Sequence, residues 1–182
     1  MNREKLTNQL SAYQSPYTEE AAFTNQFLKL LQHPDCYKRT LVSGHITGSS
    51  WIVDASHQYV LLTHHKKLDR WLQLGGHADG DENILNVATR EAEEESGLTS
   101  IKLLDNHIFD IDIHLIPANP KEQAHYHYDV RFLFEADMNE SLVISSESKD
   151  LKWVKIDALA QLVHHDKSMM RMVEKLSLKQ SI

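Results

Sequence analysis

The chain has 182 residues, enough for one domain with a sizeable core. Its hydrophobic fraction of 41% and charged fraction of 25% are those of a globular protein. Its net charge of -7, with no Lys/Arg cluster, argues against gripping a nucleic-acid duplex through the phosphates. A small polyanionic ligand remains compatible, because a metal ion can supply positive charge locally. The single cysteine, Cys36, can form no intramolecular disulfide and fits a reducing compartment. The segment Met1–Gln14 has no apolar stretch of the signal-peptide kind, and no run is long enough to span a bilayer. A cytoplasmic protein without a membrane partner is expected.

Residues 3–32 predict helix, with Leu6, Leu10, Phe23, Phe27 and Leu31 at helical spacing and a break at Ser15-Pro16. From Thr40 the texture changes. Residues 41–54 and 58–64 are rich in β-branched and aromatic residues and predict strands. A short strand over 71–74 runs into Gly75-Gly76. Residues 83–96 predict a helix, with Ile84, Leu85, Val87, Ala88 and Ala92 as its apolar stripe. Asp81 or Asn83 can cap its start, and Gly97 suits the left-handed position past its end. Strands are expected over 101–104, 107–116, 125–136 and 151–154, with a loop at 117–123 and helices over 157–164 and 166–176. The sum is an α/β (α+β) sandwich, a mixed β-sheet between helices, with no regular βαβ repeat.

The chemistry concentrates in residues 76–98, GHADGDENILNVATREAEEESGL. Glu91, Glu94 and Glu95 stand at i, i+3 and i+4, so one helix face carries three carboxylates that repel one another. A bound divalent cation removes that repulsion, and hard cations prefer oxygen ligands that they share with substrate phosphates. Arg90 stands four residues before Glu94 and can brace it. Glu82, at the helix start, can add a carboxylate or steady the loop. A solvated acidic face is the competing reading of a glutamate run alone.

The full stretch resembles the Nudix box: Gly, five residues, Glu, seven residues, Arg-Glu, an aliphatic, any residue, Glu-Glu, any residue, Gly, an aliphatic. Gly76, Glu82, Arg90, Glu91, Glu94, Glu95, Gly97 and Leu98 match, and Ala92 stands where a larger aliphatic is usual. The resemblance implies a Nudix fold over residues 39–182, with residues 1–38 as an added helical extension acting as a lid, a dimer element or a specificity element. It also implies a divalent-metal-dependent hydrolase that cleaves a phosphoanhydride in a nucleoside diphosphate linked to another moiety, or in a related organic pyrophosphate. Gly76, Glu91, Glu94 and Glu95 would hold Mg²⁺ or Mn²⁺, and Arg90 would orient a glutamate. Gly76, Glu82 and Gly97 would shape the motif. The general base varies within the family; Glu91 is one candidate. Glu147, shortly before Leu151-Lys152-Trp153, is the best candidate outside the box, against the plainer reading of an exposed loop residue. A nucleotide or other organic pyrophosphate is the expected partner, and the added helices make a homodimer an expectation. Two alternatives share the fold: a sensor that binds such a ligand without turnover, and an isopentenyl-diphosphate-isomerase-like enzyme. Sensors usually have damaged boxes, whereas this one is intact. The isomerase chemistry needs a cleft cysteine, and Cys36 precedes the expected core.

The strand expected at 125–136 puts His125, His127, Asp129, Arg131 and Glu135 on one face. That face can line a substrate cleft, with His125 and His127 near phosphate or metal and Arg131 as an anion contact, or it can be a plain polar outer face. A separate zinc site from His125, His127 and Asp129 is not expected, because alternate residues of one strand rarely close a tetrahedron alone. His77 can contact phosphate, but a solvent-facing loop position is the preferred reading.

Overall fold

The structure, a computed structural model, describes residues 2–120 and 122–180. The elements in chain order are α1 (Arg3–Ala12), α2 (Thr18–Leu30), β1 (Gly44–Val53), β2 (Tyr59–His65), β3 (Arg70–Leu72), β4 (Leu74–His77) and α3 (Ile84–Ser96). They continue with β5 (Lys102–Leu103), β6 (Asp110–Ile116), β7 (His125–Glu135), β8 (Ser148–Lys155), α4 (Ile156–Leu162) and α5 (Lys167–Gln180). The expected break at Ser15-Pro16 separates α1 from α2. Asn2 caps α1 by accepting the Lys5 N–H at 3.0 Å.

The sheet is mixed, as its residue pattern implied. β1 pairs in parallel with β7, from Gly44 opposite Tyr126 to Val53 opposite Glu135. The other pairings are antiparallel, with β2, β4 and β8 extending the β1 side and β5 and β6 pairing with β7. Side chains alternate between faces along each strand, so this register sorts the residues into two layers. Ile46 and Ile52 of β1 join Val130, Phe132 and Phe134 of β7 in one core, which also holds Ile84, Val87, Ala88, Leu6, Leu10 and Phe27. Trp51, Val53 and Leu133 face the opposite way and pack with Leu159 of α4 and Met172 of α5. The sheet is therefore covered on both faces, and Trp51 is a fully buried core residue.

Several boundaries differ from expectation for local reasons. The strand expected over 71–74 divides at Gln73, whose side chain turns to donate to Asp129 Oδ2 at 3.1 Å. The strand expected from 107 begins at Asp110, because Asp105 captures the His107 N–H at 3.0 Å and bends the chain. The helix expected to reach 164 stops at Leu162, and His164 and His165 take left-handed φ values of 51° and 54°.

The N-terminal helices share the first core and are also tied down by charge. Glu20 of α2 is fully buried and accepts from Lys175 Nζ at 2.6 Å and from Tyr13 Oη at 2.8 Å. Arg171 of α5 reaches Asp110 (2.9 Å), Asp112 (3.1 Å) and Glu19 (2.6 Å). Arg131 joins the same group through Asp110 at 3.0 Å. Removing one member strands the opposite charges in a low-dielectric interior. Arg171→Ala is expected to destabilise the protein by roughly 3–5 kcal/mol in a urea unfolding titration; a change of less than about 1 kcal/mol would mean that Lys175 and Arg131 hold Asp110 unaided.

Candidate active site

α3 begins where Asn83 accepts the Asn86 N–H at 3.2 Å and ends at Gly97, whose φ of 72° favours glycine. A Cβ on Gly97 would also meet Val143 at 2.7 Å. The helix lies against β1 and β4 through close backbone approach. A Cβ on Gly48 would come within 2.8 Å of the Ile84 carbonyl oxygen, and Ser50 Oγ donates to the Ala88 carbonyl at 2.6 Å. The small, fully buried Ala92 completes this packed side.

The same contact aims the carboxylates at the glycine pair. Gly75 N–H donates to Glu95 Oε2 at 3.1 Å. A Cβ on Gly76 would lie 2.5 Å from the Glu91 carboxylate, so the missing side chain is the space that Glu91 occupies. Arg90 bridges Glu91 at 2.9 Å and Glu94 at 3.1 Å, and its NH2 donates to the His77 carbonyl at 3.4 Å. It thus ties Glu91 to the end of β4, while Glu94 stays largely exposed.

Burial is the largest cause raising the proton affinity of Glu91, assisted by Glu94 and Glu147 and opposed by Arg90. Glu95, only 8% exposed, is pushed up to about 8, chiefly by burial, against the Gly75 hydrogen bond. Glu147 is exposed, yet close enough for its charge to act on both Glu91 and Glu95. Glu82 is turned toward the N-terminus, pairing with Arg3 at 2.7 Å, so here it steadies the loop. The carboxylates of Glu91 and Glu95 against a side-chain-free backbone, with Glu94 one turn away on the same helix face, offer the oxygen donors a hard divalent cation prefers, and these three residues would hold it.

The polar face of β7 is arranged differently from expectation. Arg131 is not an open anion contact. It is 3% exposed and committed to Asp129 (2.8 Å), Asp110 (3.0 Å) and Asp112 (3.5 Å). Nor is the face a solvated exterior, since His125, Asp129 and Arg131 are all buried. His77 is not in a loop: it ends β4, opposite Thr47, half-buried. His77, His125 and His127 do come together, joined by His45, which the sequence did not single out. His45 lies opposite His127 in the parallel register, and its ring is 5.1 Å from that of His127 and 5.2 Å from that of His77. Burial holds all three rings, His45 included, below the ordinary imidazole value, with His77 at about 4 and His127 at about 2. These histidines share the face of Thr47, Ser49 and Asp129, whereas Gly76 and Gly48 face α3. The imidazoles and the glutamates therefore lie on opposite sides of β4.

A helix-covered mixed sheet carrying an arginine-braced glutamate helix is the arrangement of a family of pyrophosphohydrolases, and the comparisons place the chain among them. The sequence model of the NUDIX domain matches residues 45–175, and the chain belongs to that family. Rat bis(5'-nucleosyl)-tetraphosphatase (asymmetrical) is 24% identical over 110 residues, covering 60% of this chain and 71% of its own. Among solved structures, a Caenorhabditis elegans Ap4A hydrolase binary complex superposes with a TM-score of 0.60 at 16% identity, covering 75% of this chain and 97% of that one. A NUDIX-family hydrolase from Clostridium perfringens gives 0.57 at 27% identity, covering 74% and 97%. Nudix hydrolases use divalent metals. The family match begins at His45, so α1 and α2 stand outside it.

Two consequences can be measured. Gly76→Ala should displace Glu91 and lower metal-dependent turnover about a hundredfold while leaving the far-ultraviolet circular dichroism unchanged; unaltered turnover would show that Glu91 can move without loss. Glu95 has a folded pKa of about 8 against a usual 4.5. Its neutral form therefore stabilises the fold below the usual value, and that contribution is lost as pH rises through the folded value. Glu95→Gln keeps an acceptor for Gly75 and should raise the stability of chelator-treated protein by on the order of 2 kcal/mol near pH 9, with little effect near pH 5. Equal effects at both pH values would contradict this.

Proposed function

We propose that the chain is a divalent-metal-dependent hydrolase that cleaves the phosphoanhydride of a nucleoside diphosphate linked to another moiety, or of a related organic pyrophosphate. The observation that carries this reading is the bridging of Glu91 and Glu94 by Arg90 beside the Gly75-Gly76 backbone. In this proposal Glu91, Glu94 and Glu95 hold Mg²⁺ or Mn²⁺. When bound, the ion offsets negative charge that builds on the reacting phosphoryl group. Gly76 keeps the space beside Glu91 clear, and Arg90 bridges Glu91 and Glu94. Glu91 and Glu147 are the carboxylates suited to accept a proton from the attacking water. Burial supplies the raised proton affinity at Glu91, whereas Glu147 stands free on its loop.

The names of the rat and nematode relatives recommend dinucleoside tetraphosphates as test substrates beside nucleoside-diphosphate conjugates. The fully buried Cys36 suits a reducing cytoplasm, and no helix among the described residues is long and apolar enough to cross a membrane. We read residues 1–38 as an extension built onto the catalytic domain, since α1 and α2 contribute side chains to its core.

A panel of dinucleoside polyphosphates, nucleoside-diphosphate conjugates and other organic pyrophosphates, assayed with Mg²⁺ or Mn²⁺, tests the proposal. Turnover should need the metal and fall by about two orders of magnitude or more in Glu94→Gln. In Glu147→Gln, a fall in kcat with KM kept would favour Glu147 as the base, and an unchanged kcat would favour Glu91. Tight binding of one ligand with no turnover of any would instead indicate a sensor.

A further inference from the structure

A different constellation lies across β4 from the carboxylates. His45, His77, His125 and His127 each offer a ring nitrogen, and these atoms all lie within 4.8 Å of one another. The register explains why four histidines from three strands meet. His45 and His127 are direct partners across the parallel β1–β7 pair, His77 is opposite Thr47 on the far side of β1, and His125 precedes His127 by one pleat. His45 is 2% exposed, and neither buried ring nitrogen makes a well-aligned hydrogen bond, although the Leu41 carbonyl lies near enough to act on the ring. With the carbonyl taking the N–H, the other nitrogen's buried lone pair is left for a ligand.

Two further details fit a cation. His125 Nδ1 lies 2.8 Å from the Gln123 carbonyl oxygen, which can only accept. That bond places the proton on Nδ1 and leaves the Nε2 lone pair free, the usual arrangement of a metal-binding histidine. His125 Nε2 then faces His127 Nε2 at 3.3 Å. Two nitrogens each about 2.0–2.1 Å from one tetrahedral ion are themselves about 3.3 Å apart. The ring centroids of the contacting pairs are 4.8–5.2 Å apart, close to the spacing of imidazoles bound to one ion.

We propose that His45, His77, His125 and His127 form a closed binding site for one zinc-class divalent transition-metal ion, separate from the glutamate site on α3. Four neutral imidazoles suit Zn²⁺, Co²⁺, Ni²⁺ or Cu²⁺ and are poor ligands for Mg²⁺ or Ca²⁺. A site with four protein ligands has no open position for substrate, so its role is structural. It would pin the end of β4 to β1 and β7. Because the His77 carbonyl accepts from Arg90, the pinned strand also supports the arginine that braces the glutamates. This inference goes beyond the hydrolase reading and does not depend on it.

Chelator-stripped full-length protein is titrated with Co²⁺ and, separately, Zn²⁺, in the absence of nucleotide. We expect one equivalent to bind at micromolar concentration or tighter, with visible Co²⁺ absorption of a tetrahedral site and a rise in Tm. Binding should persist in Glu94→Gln and weaken at least a hundredfold in His125→Ala and in His127→Gln. No uptake by the wild type would overturn the proposal, as would uptake that survives both histidine variants or is lost in Glu94→Gln. Should either histidine variant fail to fold, X-ray absorption of the zinc-loaded wild type decides. A shell of imidazole nitrogens near 2.0 Å supports the site, and a shell dominated by oxygen overturns it.

Discussion

The parallel pairing of β1 with β7, held from Gly44 opposite Tyr126 to Val53 opposite Glu135, is the constraint from which the rest of the structure follows. Both strands lie inside the sheet, so their two sets of alternating side chains must each find a partner layer. One set meets α3 and the N-terminal helices, and the other meets α4 and α5. A register slip of one residue would exchange the layers, placing Ser49 and Asp129 against α3 and turning Ile46 and Phe132 to the face that α4 and α5 cover. The pairing also positions β4, and through Gly75 and Gly76 it sets the distance between the sheet and α3.

Along the face opposite α3, the surroundings change in steps. Trp51, Val53 and Leu133 make an apolar floor at one end. Asp110, Asp112, Asp129 and Arg131 form a charged middle, in which Asp112 and Asp110 are held well below the carboxylate range by the neighbouring arginines despite their burial. The histidines occupy the other end. A face that is polar by alternation is here buried by α4, α5 and its own strands, so each charge on it has to be answered by another side chain. Arg131 answers three aspartates and has nothing left for a phosphate.

The box was legible because its logic is local. Glu91, Glu94 and Glu95 share a helix face whatever the rest of the chain does, and Asn83 and Gly97 mark the ends of that helix in the sequence itself. The strands and their texture could also be read, apart from ends set by side chains such as Gln73 and Asp105. What could not be read was pairing across long separations. Nothing near His45 indicates that it will sit opposite His127, and nothing near Arg131 indicates that Asp110 and Asp112 will flank it. A separate zinc site from His125, His127 and Asp129 was not expected, because one strand alone rarely closes a tetrahedron; the histidines that meet them, His45 and His77, come from β1 and β4. Glu82 was legible as part of the motif, but its partner Arg3 was not.

The ion pairs around Glu20 bear on how the chain is made. Glu20, in a helix formed by local sequence, leaves the ribosome 155 positions ahead of its partner Lys175. Until α5 is synthesised, the carboxylate bound for the interior has no cation to meet, and the apolar sides of α1 and α2 have an incomplete surface to rest on. The nascent chain must therefore keep α1 and α2 solvated or loosely docked until α5 has been made. Closure of this charged cluster waits for α5, which makes that helix the timing element of its folding.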